Sequence, residues 1–511
     1  MASHALQTSR PGFSFACGAE RSLASCFVIR RLPRWFAPAS ASHTCLVGGV
    51  LPDRAPREDP FMDAVGIALV VAFGTFVSLP YLFRRLGPGQ GRFAVGHRDY
   101  GWLSITAGLS ATFVGGAALL NLPSLGFTYG WYGLADVIPS AVGLLVSGLV
   151  IAPFIRRAKA MSVGTYLATA GPLVGAVSGI LGFVVYTLIA GAQLLALARL
   201  VEQHVPLPPG LIAALGGLAV SAYIIYGGFA SVLLTDRVQF GVMMVLFLGL
   251  VGAAQIFGAS PPPAGSSAYR AEAMPLDMVV LLGLPLLFLP ASQDVHVRIH
   301  AASSLRHARL GCLGAAVAYL AFGIVAVSVG VVTARAGTAL ESPDMAAPTY
   351  LRNTFGAFAI LPMIAVLAAI VSTLDSVLFA AVTSLAYDAS RWLRRGSEQE
   401  AGIPPWLATL VVLTLAVAIA TAAPRILSVI LPALIIYVAV LLPLLLGVVL
   451  RVNHRWLASV ALGVLAGTLA NELVGWRFPF RAFAICSIHA LVVCLGLLLP
   501  TRGPKAAPQV N

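Results

Sequence analysis

The chain has 511 residues, of which 59% are hydrophobic and only 10% are charged, and its mean hydropathy is +0.91. Soluble domains carry about 25% charged residues, so this composition excludes an ordinary soluble protein and predicts an all-α polytopic membrane protein embedded in a lipid bilayer. The net charge of +13 comes from short loops, which indicates membrane topology and no nucleic-acid partner, and the six cysteines form no C-x-x-C pair of the metal or redox type.

Residues 1–61 differ from the rest of the chain. They hold seven arginines and three of the six cysteines, with no apolar run long enough to cross a bilayer. A poor signal peptide and a disordered leader both fit this composition. We favour a mis-called start, with translation beginning at Met62, and predict a transmembrane domain over 62–505 and a cytoplasmic tail over 506–511.

Runs of about 20 apolar residues mark membrane helices. The sequence predicts thirteen such spans, at approximately 63–83, 101–126, 130–155, 172–201, 209–227, 231–257, 276–297, 309–334, 353–388, 405–423, 426–450, 456–475 and 481–500.

Arginine and lysine are distributed unevenly between alternate loops. One set of loops holds eighteen of these residues, with Arg298 counted among them. The other set holds six, at Arg270, Arg335, Arg352, Arg425, Arg477 and Arg481. Because basic loops stay in the cytoplasm, the mature N-terminus is predicted outside and the C-terminus inside a multi-pass inner or plasma membrane protein.

Two predicted spans contain glycine and proline in their interiors. Span two contains Gly115, Gly116 and Pro123, and span seven contains Gly283 and Pro290. These residues weaken helices, so each span is either interrupted or merely kinked. The two spans lie five apart, which is the pattern of inverted halves that bind cargo at the membrane midplane.

Span nine carries polar groups at the sequence AAIVSTLDS. The hydroxyls of Ser372 and Thr373 are followed by the carboxyl group of Asp375. Polar groups in hydrocarbon need partners, so this cluster is a candidate functional site. Hydroxyls and freed carbonyls are hard oxygen ligands for an alkali cation, although both hydroxyls could instead bond to their own helix.

Other motifs point away from an enzyme. His296 and His300 lie four residues apart but lack a nearby third ligand, so no metal site other than one for Na⁺ is predicted. The sequence has no H-E-x-x-H, G-x-S-x-G or phosphate-binding loop, so no catalytic residues are proposed.

Four stretches together resemble the sodium:solute symporter family. They are SATFVGGAALLNLPSLGFTYGW at 110–131, YGGFASVLLTDRVQ at 226–239, SQDVHVR at 292–298 and AAIVSTLDSVL at 368–378. The resemblance covers about 63–500. It implies a LeuT-type fold with two inverted five-helix repeats, at about 101–257 and 276–450, and flanking helices.

The resemblance also implies a sodium site. Alignment on Pro123 puts two ligand carbonyls at Ala111 and Val114. Alignment on the hydroxyl pair adds the carbonyl of Ala369 and the side chains of Ser372 and Thr373. These five neutral oxygens suit Na⁺ as a coupling ion, and no other cofactor is expected.

A second cation or proton site is predicted at Asp236 and Asp375. Asp236 resembles a family aspartate near the cytoplasmic route of the ion, although pairing with Arg237 at the headgroup level is the alternative. Asp375 lies three residues after Ser372 and therefore on nearly the same helix face.

The solute pocket is predicted between the two interrupted helices and spans three and eleven. Its candidates, each of which could equally serve helix packing, are Gly115, Ala117, Ala118, Asn121, Asp136 and Tyr437. Tyr226 resembles an inner-gate residue, with an interfacial aromatic residue as the alternative. The small side chains favour a small organic solute, an amino acid or carboxylate rather than a sugar.

The sequence therefore predicts a sodium-coupled symporter that imports a small organic solute by alternating access. A proton-coupled carrier of the same fold is the nearer alternative. A symporter-like membrane sensor module is the other.

Overall fold

The described residues of this protein are organised as helices. The computed structural model describes residues 63–82, 93–257, 271–391 and 401–423, and isolated positions between 429 and 448; positions 95, 97, 159, 338, 339 and 341 are left out. The predicted leader at 1–61 and the last two predicted spans lie outside the described residues.

In the part of the chain described before residue 258, there are nine α-helices. They are α1 (Ala64–Leu82), α2 (Trp102–Phe113), α3 (Gly116–Tyr129), α4 (Leu134–Val146), α5 (Ala152–Ala158), α6 (Val163–Leu167), α7 (Pro172–Val201), α8 (Pro209–Val242) and α9 (Leu250–Phe257). The π-helical turn Ser147–Ile151 joins α4 to α5, and Met243–Gly249 joins α8 to α9.

Seven further α-helices lie in the described residues after position 270. They are α10 (Leu276–Leu282), α11 (Pro285–Ala291), α12 (Gln293–Ala301), α13 (Leu305–Arg335), α14 (Ala346–Phe355), α15 (Ile360–Thr383) and α16 (Pro405–Ala422). A π-helical turn, Ser384–Ala389, extends α15.

The protein is a multi-pass membrane protein. Among the described residues, seven helical stretches are long and apolar enough to cross a bilayer: Ala64–Leu82, Ala118–Ala158, Val174–Val201, Pro209–Ile256, Leu305–Arg335, Pro343–Ala389 and Pro405–Ala422. Three of them exceed 40 residues, and two of these, Ala118–Ala158 and Pro209–Ile256, combine neighbouring predicted spans.

Gly228 separates the two predicted spans that meet within α8. Its φ of +55° is outside the helical range, and a Cβ at this position would lie 2.5 Å from the carbonyl oxygen of Phe93. The Phe229 N–H donates to that same carbonyl at 2.9 Å. Only glycine tolerates both the positive φ and the close approach of the Phe93 carbonyl. The bend in α8 is therefore determined by Gly228 itself.

The predicted span 353–388 contains a corner near its start. Gly356 has a φ of +53° and ends α14, and a short 3₁₀ turn then leads into α15 at Ile360. Apolar residues continue through this corner, so the hydropathy of the sequence does not show where α14 ends and α15 begins.

Helix α15 is the central helix of the described structure. Every residue from Ala365 to Thr383 is buried, and the helix packs against α7, α8, α2 and α3. It therefore has no lipid-facing side over that length, and its polar side chains lie inside protein.

Helices α3 and α13 approach each other through glycine. A Cβ on Gly330 would overlap the backbone carbonyl of Pro123, and a Cβ on Gly126 would overlap that of Val327. Small residues let membrane helices pack this closely.

We expect Gly330→Ala to destabilise the protein by about 1–3 kcal/mol, because the added methyl group would clash with the backbone of α3 at Pro123. The measurement is the apparent melting temperature in detergent. Gly241→Ala in α8 is the control, since nothing lies within 4 Å of its Cβ position. Equal melting temperatures for the two variants would contradict the packing argument.

Candidate functional site

The first interrupted helix breaks between α2 and α3. Val114 has φ −76° and ψ +42°, and Gly115 has φ −64° and ψ +166°, so neither continues the helix. The last carbonyls of α2 and the first N–H groups of α3 therefore lose intrahelical partners at this point. Gly115 caps α3 without a side-chain hydrogen bond.

Helix α15 lies directly against this break. A Cβ on Gly115 would overlap the hydroxyl of Thr373, and a Cβ on Gly116 would overlap the side chain of Ile370. Gly115 and Gly116 therefore have two effects. They weaken the helix, and their lack of side chains lets α15 contact the backbone at the break.

The hydroxyls of α15 contact the freed carbonyls. The Ser372 hydroxyl lies 2.8 Å from the carbonyl oxygen of Ala111 and 3.1 Å from that of Ala369. The Thr373 hydroxyl lies 2.9 Å from the carbonyl oxygen of Thr112 and 3.0 Å from that of Ala369. Both side chains are buried.

Four of the five predicted sodium ligands are therefore brought together, and the fifth, Val114, is the buried non-helical residue of the break itself. The carbonyl of Thr112 was not predicted, and it joins the same cluster. The hydroxyls also bond within α15, so the self-bonded alternative describes part of their geometry.

This cluster has the chemistry of a monovalent cation site. Its oxygens are neutral carbonyls and hydroxyls, and a hydroxyl can turn its hydrogen away and present lone pairs. Hard cations bind such oxygens, and the absence of a carboxylate among them suits an ion that must also leave.

A second polar network surrounds Arg298 on α12. Its Nη2 donates to Asp236 Oδ2 at 2.7 Å and to the Ser376 hydroxyl at 2.6 Å. Arg298 and Asp236 are both buried. The predicted alternative that Asp236 pairs with Arg237 is wrong, because the Arg237 guanidinium lies over the ring of Tyr100, 5.4 Å from its centroid.

Asp375 has different partners. Its Oδ2 accepts hydrogen bonds from the Tyr223 hydroxyl and, at 2.9 Å, from Thr235, while Oδ1 lies 3.4 Å from the Ser376 hydroxyl. Both donors are on α8, so Asp375 ties α15 to that helix.

Arg298 and Ser376 lie between the two predicted second-site carboxylates. With Asp236 and Asp375 both ionised, the buried group of two carboxylates and one guanidinium carries one excess negative charge. A buried charge requires a partner, so this excess calls for a cation or a proton.

Thr112 belongs to both networks. Its carbonyl accepts from Thr373, and its hydroxyl lies 2.9 Å from the hydroxyl of Ser376. A change in one network therefore reaches the other through a single residue of α2.

The second interrupted helix breaks at Ser292, between α11 and α12. Ser292 has φ −74° and ψ +139°. The Tyr437 hydroxyl donates to the Ala291 carbonyl at 3.0 Å, and the Gln293 N–H donates to the Tyr186 hydroxyl at 2.8 Å. The ring of Tyr437 also lies against those of Tyr186 and Phe288, with centroids 5.7 and 5.0 Å apart.

The other predicted pocket residues lie on α3 and α4. Asp136 on α4 accepts from the Tyr319 hydroxyl of α13 at 3.2 Å. Ala118 and Asn121 are half-buried on α3, and Ala117 belongs to the same helix. Gly115 lies at the first break and Tyr437 at the second.

The predicted inner-gate residue, Tyr226, lies against α1. Its ring centroid is 4.9 Å from that of Tyr81, and the side chain is half-buried.

The sequence interpretation missed several members of these networks: Thr112, Tyr186, Tyr223, Thr235, Arg298 and Ser376. The sequence predicts Arg298 in a cytoplasmic loop, but the residue is only 2% exposed. Its position in SQDVHVR, among other polar residues at the end of an apolar span, was the signal that could have marked it.

Two helices interrupted at buried breaks, one of them facing paired hydroxyls, define the class of membrane carriers that bind cargo at mid-membrane. The model of the sodium:solute symporter family matches residues 93–462, and the chain belongs to this family.

Known proteins resemble the chain in sequence and fold. It is 29% identical over 208 residues to the sodium/pantothenate symporter of Escherichia coli (strain K12), an alignment spanning 36% of this chain and 40% of that relative. The structure of a Na⁺-coupled sialic acid symporter, substrate-bound and outward-open, superposes with a TM-score of 0.64 at 14% identity, covering 86% of this chain and 98% of that one.

A second solved structure has the same fold. Mhp1, a nucleobase-cation-symport-1 family transporter with bromovinylhydantoin bound, superposes with a TM-score of 0.52 at 15% identity, covering 79% of this chain and 93% of that one. The predicted LeuT-type fold is confirmed. The count of thirteen spans stays a prediction.

Proposed function

We propose that the chain is a sodium-coupled symporter that imports a small organic solute by alternating access. The observation that carries this proposal is the convergence of the Ser372 and Thr373 hydroxyls on the carbonyls of Ala111 and Thr112 at the break. Family membership supports it. Na⁺ is the coupling ion, and no other cofactor is invoked.

Na⁺ binding joins α2 to α15 in this proposal. The ion takes its oxygens from Ala111, Val114, Ala369, Ser372 and Thr373. Binding replaces hydroxyl-to-carbonyl hydrogen bonds with ion contacts and fixes the break in one arrangement. Coupling between ion and solute is reciprocal and typically about 1–3 kcal/mol. The membrane potential adds about 2.3 kcal/mol per charge per 100 mV.

The excess charge near Arg298 supports a second cation or a proton at Asp375, with Asp236 as its neighbour. Proton coupling is therefore the second candidate. Because Asp236 already has Arg298 as a partner, we assign the second cation or the proton to Asp375.

The solute pocket lies beside the first break. Helix α3 begins there without a side-chain cap, and the positive end of such a half-helix attracts an anionic group. This favours a solute with a carboxylate, such as an amino acid or a carboxylic acid. The small residues Gly115 and Ala118 bring no polar side-chain group to it, which disfavours a sugar.

The distribution of basic loops supports an external mature N-terminus and a cytoplasmic C-terminus in the inner or plasma membrane.

The test is transport by the purified protein. A thermal-shift screen of amino acids and carboxylates, with and without Na⁺, first selects the solute. Proteoliposomes should then accumulate that solute under an inward Na⁺ gradient and lose it when K⁺ replaces Na⁺. Accumulation that follows a pH gradient alone would select the proton-coupled carrier, and binding without net flux would select a sensor.

A further inference from the structure

Helix α12 is polar although it is completely buried. All nine of its residues are buried, and five of them are Gln293, Asp294, His296, Arg298 and His300. Such side chains are seldom fully buried unless they are paired.

Much of this polarity is left without partners. Over the described residues, eleven buried side-chain nitrogen and oxygen atoms lack a hydrogen-bond partner, and five of them are on α12: Gln293 Nε2, His296 Nδ1, Arg298 Nε and both ring nitrogens of His300. Each such atom carries the cost of lost hydration without a compensating bond. The arrangement therefore suits a helix that is buried in only part of its working cycle.

Extended residues flank α12 at both ends. Ser292 before it has ψ +139° and Ala302 after it has ψ +142°, so each junction is extended. A nine-residue rod between two extended residues can move as a unit through a few dihedral changes.

Specific hydrogen bonds hold the rod in place. The Tyr186 hydroxyl accepts the Gln293 N–H and donates to Asp294 Oδ1, both at 2.8 Å. The Gln293 side-chain oxygen accepts the Val163 N–H at 2.8 Å. At the other end, Arg156 donates to the His300 carbonyl at 3.0 Å.

The space beside α12 is incompletely filled. A small cavity is lined by Gln293 and Val297 of α12 and by Thr383 and Tyr387 of the α15 segment, and Gln293 Nε2 has no partner. Helix α12 thus borders α15 across a gap on this side.

We propose that α12 is the cytoplasmic gate of the carrier and that Tyr186 and Gln293 are positioning residues that hold it closed. This rests on the proposed function. Opening swings α12 away from α7 and Val163, hydrates its unpaired polar atoms and exposes the path from the Arg298 network to water.

The ring of His300 fits the closed state as a neutral group. Burial, together with the charges of Arg98 and Arg156, lowers its pKa to about 3. It lies beyond the predicted span 276–297, next to the loop that faces the cytoplasm.

The test is cysteine accessibility in a cysteine-free background. Val297→Cys on α12 is the reporter, labelled with an impermeant maleimide in inside-out vesicles in K⁺ medium without solute. We expect Tyr186→Phe and Gln293→Met to speed labelling at least fivefold. Gln293→Glu keeps the acceptor for Val163 and should restore the slow rate, and Tyr132→Phe at the exposed surface should not change it.

The proposal is overturned if the reporter reacts equally slowly in the variants, or only from the outside. If the Tyr186 and Gln293 variants do not fold, the test uses the protein with both residues intact. In that background Val297→Cys must be labelled faster than Ala316→Cys, a buried position in α13. Repeating the labelling in Na⁺ medium tests the proposed function separately, because the comparison in K⁺ does not depend on Na⁺ coupling.

Discussion

Replacing Ser372 or Thr373 by alanine is expected to raise the Na⁺ concentration for half-maximal stabilisation at least tenfold, and the double variant about 100-fold. Each substitution removes one oxygen from the cluster at the break, and a bond to a charged group contributes about 1.5–3 kcal/mol. A factor of ten in affinity corresponds to about 1.4 kcal/mol. The measurement is the melting temperature during a titration of Na⁺ against K⁺ at constant ionic strength, which requires no knowledge of the solute.

A buried threonine outside the cluster provides the control. Thr409 on α16 is 1% exposed and donates to the Pro405 carbonyl at 2.8 Å, so Thr409→Ala removes an equivalent self-bonded hydroxyl. The melting temperature reports Na⁺ binding because an ion that binds only the native state stabilises the protein. At a Na⁺ concentration 100 times Kd this stabilisation is about 2.7 kcal/mol. Unchanged Na⁺ dependence in the Ser372 and Thr373 variants would mean that both hydroxyls serve only their own helix.

The first break could be read from the sequence because its signals are local. Gly115 and Gly116 interrupt an apolar run, and the adjacent hydroxyls of Ser372 and Thr373 stand out in another. Each feature has a direct physical cost in a bilayer, which makes it visible without a structure. Their pairing came from the resemblance to a family and is met by the geometry of the described residues.

The Arg298 network could not be predicted in the same way. Arg298 and Asp236 lie 62 positions apart, and no periodicity indicates which of two neighbouring cations an aspartate selects. The loop count treated Arg298 as a topological charge because it closes an apolar run. The alternative partner, Arg237, is adjacent in sequence but faces Tyr100. Adjacent residues on a helix point about 100° apart, so sequence proximity misled here.

The interruption of the second span was predicted from Gly283 and Pro290, and Gly283 does lie between α10 and α11. The break at Ser292, which lies next to the polar residues of α12, was not predicted. Tyr186, which accepts the Gln293 N–H at that break, lies on a helix whose sequence is mostly apolar. A single tyrosine in such a helix has many packing explanations, so its role emerges only from its two contacts.

Replacing Asp375 by asparagine is expected to reduce the coupled charge by one per solute, because it removes the excess negative charge while the donors Tyr223 and Thr235 keep an oxygen acceptor. Reversal potentials in proteoliposomes, measured with the solute found by screening under Na⁺ and pH gradients, give the stoichiometry. Loss of one Na⁺ identifies a second sodium site, and loss of pH dependence identifies a proton. Asp344→Asn, the same change at an exposed position, is the control.

Asp236→Asn separates this role from a structural one. It leaves the buried Arg298 guanidinium without its carboxylate, and breaking a buried pair costs about 3–5 kcal/mol. We therefore expect Asp236→Asn to lower the melting temperature strongly and Asp375→Asn to change it little. If Asp375→Asn instead leaves the stoichiometry intact and destabilises the protein as strongly, both carboxylates are neutralised within the protein by Arg298 and its hydroxyl neighbours, and only the site at the break binds a transported cation.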